Sequence, residues 1–414
     1  MKLYKYYDID VDGLARYKKA IQIIKDDLEL RVLSDKELAF ISNRYEKELI
    51  NGVKGEGCNL AMVDTLLPSV KAENLPKGKS AFVIEIGGTN VRSASMSVGK
   101  DESYVLKDYT KAALDSVEFE NEKSFFDSIL RMTKIPKRRP DAIGIIWSFP
   151  GRSVKSKERK GVDVVTDESE LTKGFIIPGI GKRPIGERFI ESICKRINWP
   201  KLIPVAVMND TRAVEGGIVG TGFNLAFGRY NTEAGGLNPG IFTKIYKMID
   251  KLSENSGRQL CEKQISGKYL EIGLNALIRR FLDESLCSSD IPQQKTEFIS
   301  QILERGEECD ELSDISDPYI LKALHFASKR FTIRSTQLVG TLVGTGMRVF
   351  ADDFPDDVVN FPIEGSVFWG IPGYDEYTTK YANQVLDSIG KKVIFEKIEH
   401  AGLKGAGAAA LSMI

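Results

Sequence analysis

Residues 205–211 read V-A-V-M-N-D-T, so four apolar residues deliver an amide, Asn209, and a carboxylate, Asp210, to the end of a buried-strand pattern. In open α/β sheets, ligands gather at such strand ends. A carboxylate there can act as a general base, and the neighbouring amide offers both a donor and an acceptor. The competing reading is local: Asn209 or Asp210 caps the helix that follows. Shortly afterwards Gly220-Thr221-Gly222 interrupts a second apolar run, and earlier in the chain Gly87-Gly88-Thr89-Asn90 interrupts another, just beyond Glu85. Glycine at such breaks supplies the φ > 0 of a tight hairpin. Alternatively, the bare backbone N–H groups could cradle phosphate oxygens while Glu85 faces a divalent cation. Two such hairpins, one in each half of the chain, could grip a polyphosphate between two domains.

The elements that must hold these residues follow from periodicity. The beginning of the chain reads as helical, with Leu14, Tyr17, Ile21 and Ile24 on one face. Ser34 and Glu37 then form a capping box, and Gly52 is the expected end of that second helix. Strand signals A-F-V-I-E-I, V-R-S-A-S-M-S-V, A-I-G-I-I-W-S-F and I-P-V-A-V-M-N-D alternate with the amphipathic stretches E-K-S-F-F-D-S-I-L-R-M-T-K and G-E-R-F-I-E-S-I-C-K-R-I. That alternation is the pattern of an α/β protein. At 414 residues the chain exceeds one comfortable core, so two domains with a cleft between them are expected.

Composition narrows the function. The 58 basic and 58 acidic residues balance, so no global field draws the chain to nucleic acid or to an anionic membrane. The five cysteines lack a C-x-x-C pair, which argues against a disulfide framework or a zinc site. With two histidines in the whole chain, carboxylates must carry any acid or base work. No apolar run approaches the ~20 residues of a membrane helix, and the expectation is a soluble, cytoplasmic protein acting on a small molecule. Neither a G-x-x-x-x-G-K-S/T loop nor a G-x-G-x-x-G fingerprint occurs.

Taken in order, the motifs resemble the hexokinase family of the actin-like sugar-kinase superfamily. N-L-A-M-V-D-T-L-L-P-S-V is similar to the segment before that family's first phosphate loop, and I-E-I-G-G-T-N-V-R to the loop itself. W-S-F-P and T-K-G-F resemble its sugar-binding region, M-N-D-T its catalytic strand and G-T-G-F-N its second phosphate loop. Y-N-T-E and C-E-K-Q-I-S-G-K-Y-L match the remaining sugar ligands, and E-G-S-V-F-W-G-I-P-G-Y and G-L-K-G-A-G-A-A-A-L the adenosine side. The resemblance implies a two-domain actin-like ATPase (ribonuclease H-like) fold, with residues 68–206 plus 399–414 as the small domain and 1–67 plus 207–398 as the large one. It also implies transfer of the γ-phosphoryl group of MgATP to the 6-hydroxyl of glucose or a related hexose. Asp210 matches the catalytic base. Lys173 matches a sugar ligand that could also stabilise charge on the transferring group. Ser148, Thr172, Asn209, Asn224, Glu233 and Glu262 match the other sugar ligands. Gly87, Gly88, Thr89, Asn90, Gly220, Thr221 and Gly222 match the phosphate hairpins, Gly365, Ser366, Lys404 and Gly405 the nucleotide side, and Glu85 the residue that orients Mg²⁺.

The chain departs from the family in four places. Glu85 stands where aspartate is usual, Ala234 stands where tryptophan is usual, the segment from Asp210 to Gly220 has room for one helical turn at most, and the link from Asn224 to Asn231 is short, though Gly228-Arg229 could close a tight hairpin there. The shortened segment favours a rival reading, a catalytically weak sugar or nucleotide sensor, while Asp210 and Lys173 favour the kinase. The oligomeric state and the preferred hexose are left open by the sequence.

Overall fold

The computed structural model describes residues 11–157, 159–172, 174–197, 199, 202–287, 291–305, 315 and 317–414. After β1 (Val63–Asp64) come β2 (Ser80–Ile86), β3 (Asn90–Val98), β4 (Tyr104–Ala113), β5 (Ala142–Trp147), β6 (Arg152–Lys155), β7 (Gly161–Val165) and β8 (Val205–Met208). The later strands are β9 (Gly217–Val219), β10 (Phe223–Phe227), β11 (Tyr230–Asn231), β12 (Val358–Glu364) and β13 (Lys392–Glu396). They build a seven-stranded sheet, β4-β3-β2-β5-β8-β7-β6, and a six-stranded sheet, β1-β11-β10-β9-β12-β13.

In the seven-stranded sheet β5 lies between β2 and β8, parallel to both. Every residue of β5 is buried, as a parallel strand covered on both faces requires. One face presents Phe82, Ile84, Ile143, Ile145 and Val205 to the helices Glu122–Met132 and Ile185–Arg196. The other is built small, from Ala81, Ala94, Ala142 and Ala206, and the C-terminal helix Ala401–Leu411 packs there. The Ala/Gly composition of that helix has a steric cause: a Cβ at Gly144 would lie 2.5 Å from the Ala406 carbonyl oxygen. At that contact the two backbones approach too closely for a larger side chain, while Val83, Ile146 and Leu403 fill the space around it.

The six-stranded sheet shares its core with helices from both ends of the chain: Asp35–Lys54, Gly267–Asp283, the 32-residue Pro318–Val349 and Tyr374–Leu386. The Ser34–Glu37 capping box forms. Two expectations about these helices need correction. The helix passes Gly52, reaches Lys54 and is stopped by Gly55 at a φ of 70°, while Gly52 is small because a Cβ there would press on the Met62 sulfur. On the first helix, Val11–Gln22, Leu14 is exposed, whereas Ile24 in the following turn is buried.

The chain crosses between the sheets from β1 to β2, returns from β8 to β9, and crosses again after β13 to place the C-terminal helix on the seven-stranded sheet. Those three crossings bring the candidate residues together.

Candidate active site

Immediately after β8 comes a five-residue helix, Asp210–Val214. Asn209 caps it: its Oδ1 accepts from the Thr211 N–H at 2.9 Å. One Asp210 carboxylate oxygen accepts from the same N–H at 2.8 Å. The capping role read from the sequence is thus real, and it leaves the Asn209 NH₂ group to donate elsewhere. Glu215, at a φ of 56°, ends the helix, and β9 starts at Gly217. The segment holds one turn, as its length implied.

Asn209 and Asp210 border different spaces. Asn209 lines a cleft of about 1280 Å³ with Ser148, Thr172, Asn231 and Glu233. Asp210 lines a cavity of about 220 Å³ with Glu85, Arg92, Lys111 and Glu364.

One wall of the cleft comes from the seven-stranded sheet. Ser148 follows β5, and its N–H donates to the Ile86 carbonyl at 3.3 Å. Beside it the Trp147 Nε1–H donates to Thr166 Oγ1 at 2.6 Å. Thr172 is exposed on the rim, where its carbonyl accepts from the Phe175 N–H at 3.2 Å. Lys173, expected beside it, lies outside the described residues.

The other wall is made by a tight hairpin in which Phe227 pairs with Tyr230 and Gly228 takes a φ of +53°. That turn sets Asn224, Asn231 and Glu233 side by side. Asn224 Nδ2 donates to Asn231 Oδ1 at 2.8 Å and to Glu233 Oε1 at 3.3 Å, and Asn231 Nδ2 donates to the same oxygen at 2.7 Å. Asn224 is further fixed by the N–H groups of Leu225 and Ala234, which donate to its Oδ1 at 2.8 and 3.1 Å. Burial raises the Glu233 carboxyl above its ordinary range; the Asn231 amide partly offsets this, and the charge of Asp210 adds to it. Glu262 opens the short turn Glu262–Gln264 nearby. Burial pushes its carboxyl up to about 7, against a hydrogen bond from the Phe223 N–H and with the added repulsion of Glu233. Such a set of fixed amides and carboxylates suits a ligand with several adjacent hydroxyls.

In the smaller cavity, both Glu85 oxygens meet Arg92 Nη1, at 3.0 and 2.9 Å. Burial raises the Glu85 carboxyl, Arg92 counters this, and the charges of Glu364 and Asp210 add to the rise. Asp210 therefore acts electrostatically on Glu85 to one side and on Glu233 to the other. The Tyr109 and His400 rings, 4.4 Å apart, complete this wall.

The glycine motifs behave less uniformly than the sequence suggested. In the first hairpin the Gly87 N–H donates to the Asn90 carbonyl at 3.0 Å, and Asn90 Nδ2 donates to Thr89 Oγ1 at 2.8 Å. Neither Gly87 nor Gly88 occupies the left-handed region, contrary to expectation. At Gly87 the constraint is steric, since a Cβ would lie 3.1 Å from the Asn90 carbonyl oxygen. In the second hairpin, Gly220-Thr221-Gly222 meets Gly365-Ser366: a Cβ on Gly220 would lie 3.3 Å from the Gly365 Cα. Gly365 takes a φ of 131°, and a Cβ there would collide with the Val219 carbonyl, so only glycine serves. Ser366 is exposed at the start of the short helix Ser366–Gly370. Lys404 and Gly405 lie on the C-terminal helix, where a Cβ at Gly405 would run into the Ala213 carbonyl. Close packing on the Asp210 helix thus gives Gly405 a reason to be glycine.

Three residues gained a place that sequence reasoning had not given them. Asn231 stands inside the Y-N-T-E motif, yet its link to Glu233 exists only once the hairpin closes. Arg92 pairs with Glu85, whereas Arg334 is buried against Gln264 and Tyr246 and is structural. Arg212, fully buried, donates to the carbonyls of Leu67 at 3.1 Å and Pro68 at 2.8 Å and pairs with Glu215 at 2.7 Å. It ties the helix of Asp210 to the first crossing between the sheets.

Known proteins give this arrangement its context. Two family profiles, both described as Hexokinase, match residues 23–215 and 228–412. Mouse Hexokinase-1 is 26% identical over 326 residues, which cover 67% of this chain and 32% of that protein, so the chain spans about a third of that relative's length. The Hexokinase of Kluyveromyces lactis is 24% identical over 412 residues, 84% of this chain and 82% of that protein. Among solved structures, the hexokinase from Schistosoma mansoni complexed with glucose superposes with a TM-score of 0.74 at 19% identity, covering 97% of this chain and 99% of that one. With one profile match running through the Asp210 turn, the other covering most of the rest of the chain, and a fold shared along nearly its whole length, the chain belongs to the hexokinase family.

Proposed function

We propose that this protein is an ATP-dependent hexose kinase that passes the γ-phosphoryl group of MgATP to the 6-hydroxyl of glucose or a related hexose. The observation that carries this reading is the position of consecutive residues, with Asn209 on the hydroxyl-matching cleft and Asp210 on the neighbouring charged cavity. A base for the sugar hydroxyl belongs at such a junction. Asp210 takes the hydroxyl proton as the oxygen attacks. Ser148, Thr172, Asn209, Asn224, Glu233 and Glu262, with Asn231 added, hold the sugar so that this hydroxyl points toward the phosphate. Phosphoryl transfer is largely positioning and charge stabilisation, which suits a site of fixed hydrogen-bonding groups.

For the nucleotide, Gly220, Thr221 and Gly222 with Gly365 and Ser366 form one phosphate-facing surface and Gly87, Gly88, Thr89 and Asn90 the other. Lys404 and Gly405 border the adenosine side, and Lys173 stabilises charge on the transferring group. Glu85, with Glu364 nearby, offers the hard carboxylate oxygens that suit Mg²⁺, and Arg92, which holds both of them here, would have to share or release them to the ion or its water. Among the described residues no cluster of three or more acidic, histidine or cysteine side chains could hold the ion alone. Water and phosphate oxygens would therefore have to complete its shell, and the bound ion would supply charge neutralisation on the phosphates. The domain boundaries at 67/68, 206/207 and 398/399 belong to the same reading, in which two bodies close on the sugar.

A coupled ATP-consumption assay across a panel of hexoses tests the reading, with Asp210→Asn as the control. The variant is expected to lose ~10²- to 10⁴-fold in rate, the usual contribution of a general base, while still binding sugar. Sugar binding without turnover in the wild-type protein would favour the sensor.

A further inference from the structure

A third cavity, of about 580 Å³, shares no lining residue with the sugar cleft or the charged cavity. It opens between Tyr17 on the first helix and one face of the long helix Pro318–Val349, which contributes Lys322, His325, Phe326, Lys329 and Arg330. Among the described residues, no carboxylate lines it and none of Lys322, Lys329 and Arg330 takes part in an ion pair. Clustered like charges repel one another, so a folded chain gains by neutralising them.

Arg330 is the most constrained of the three. Its guanidinium lies 4.4 Å from the centroid of the Phe326 ring, and Lys25 Nζ lies 5.4 Å from the same centroid. The ring therefore fixes one guanidinium and attracts a fourth cation to the rim. Arg330 Nε is buried without a hydrogen-bond partner. Burial alone pulls this arginine below its ordinary value, with no carboxylate to counter it. With Nε turned inward and the plane held by the ring, the outer guanidinium nitrogens, which make no ion pair among the described residues, are ready to receive a planar or tetrahedral oxyanion without further ordering.

We propose that this cavity binds a small phosphorylated anion, whose phosphate oxygens are taken by Arg330, Lys329 and Lys322. Three cations match an anion carrying at least two negative charges, and the volume falls within the ~300–1,000 Å³ of small-molecule sites. Tyr17 and the side of Phe326 would bound the non-phosphate part of such a molecule. The site stands apart from the reading of Asp210 and does not depend on it.

Hydrogen–deuterium exchange on the full chain, with inorganic pyrophosphate as the probe and inorganic phosphate as the weaker comparison, locates the anion directly. The expected result is protection of peptides spanning residues 319–333, stronger with pyrophosphate. Affinity there should fall about tenfold or more in Arg330→Gln, the loss expected for a charge-assisted hydrogen bond, and recover in part in Arg330→Lys. Lys329→Gln, at an exposed position, should weaken it in the same direction and provides a second variant if Arg330→Gln folds poorly. Protection confined to residues 80–92 and 217–223 would assign the anion to the glycine hairpins alone. That outcome, or unchanged affinity in both variants, overturns the proposal.

Discussion

Replacing Glu262 by glutamine tests whether the wall proposed to hold the sugar carries a proton that its ligand must displace. The Glu262 carboxyl rises from 4.5 to about 7, chiefly through burial, with Glu233 adding repulsion and the Phe223 N–H offsetting part of it. Between these two values the unfolded chain has lost the proton and the folded chain has kept it. Stability therefore falls as pH rises from about 4.5 through 7, and below 4.5 the residue has no effect. At about 1.4 kcal/mol for each pH unit the full cost above pH 7 is about 3 kcal/mol, and residual contact with water brings the expectation to about 2. Glu262→Gln removes the charge, so at pH 8 it should melt about 2–3 °C above the wild type and at pH 4.5 at the same temperature. Lys263, also close by, is already paired with Asp250 at 2.6 Å and does not substitute for the missing partner.

Ligand binding reverses the sign. Sugar hydroxyls that donate to Glu262 favour its charged form, so binding near pH 7 should release a proton and strengthen as pH rises through that value. Glutamine cannot show either effect, and its loss of a charge-assisted hydrogen bond should weaken sugar binding about 10- to 100-fold at pH 8. Thermal melts at the two pH values, with calorimetry in buffers of different ionisation enthalpy, measure all three quantities. A variant that melts with the wild type at pH 8, or wild-type binding with no proton release, would refute the argument. Because Glu233 titrates beside it, the released proton belongs to the pair.

Two further substitutions address how the site is held. Arg212→Met leaves the Leu67 and Pro68 carbonyls and Glu215 without their donor. Since Arg212 Nε is itself unpartnered, the loss should sit at the low end for a broken buried pair, about 3 kcal/mol, and lower the melting point by a few degrees; an unchanged melt would show that these bonds contribute nothing. Gly405→Ala sets a methyl against the Ala213 carbonyl and should cost about 1–3 kcal/mol of stability by overpacking. If instead the melt holds and only the KM for MgATP rises, Gly405 acts toward the nucleotide.

Much of this arrangement is legible in the sequence because a repeating environment leaves a repeating pattern. The runs behind β2, β5 and β8 are continuous and apolar because both faces of the sheet are covered. β4, by contrast, is an edge strand whose Y-V-L-K-D-Y-T-K-A-A alternates half-buried and exposed residues, and lysines replace the apolar signal. Ser148, Asn209 and Glu233 were each readable from a motif, and they do line one cleft. Asn231 was not, because its partners arrive through a hairpin closed at Gly228. The reason for glycine at residue 405 lies in a neighbour almost two hundred positions away, and the unusual proton affinity of Glu262 arises from burial, which no local pattern encodes.

The shortened segment after Asp210 sharpens the question of what orients the proposed base. A five-residue helix is far too short to be stable alone, so its direction must come from tertiary anchors. Arg212 binds it to the first crossing between the sheets at Leu67 and Pro68. On the next residue, the Ala213 carbonyl packs against Gly405, on the helix that follows the third crossing. The second crossing is the segment itself, which ends where Gly217 of β9 pairs with Ile363 of β12. One turn is therefore fastened to every connection between the two sheets. A rotation of one sheet against the other would have to move this turn, and Asp210 with it, so under the proposed mechanism closure on a sugar would be coupled to alignment of the base through three anchors rather than through the length of the helix.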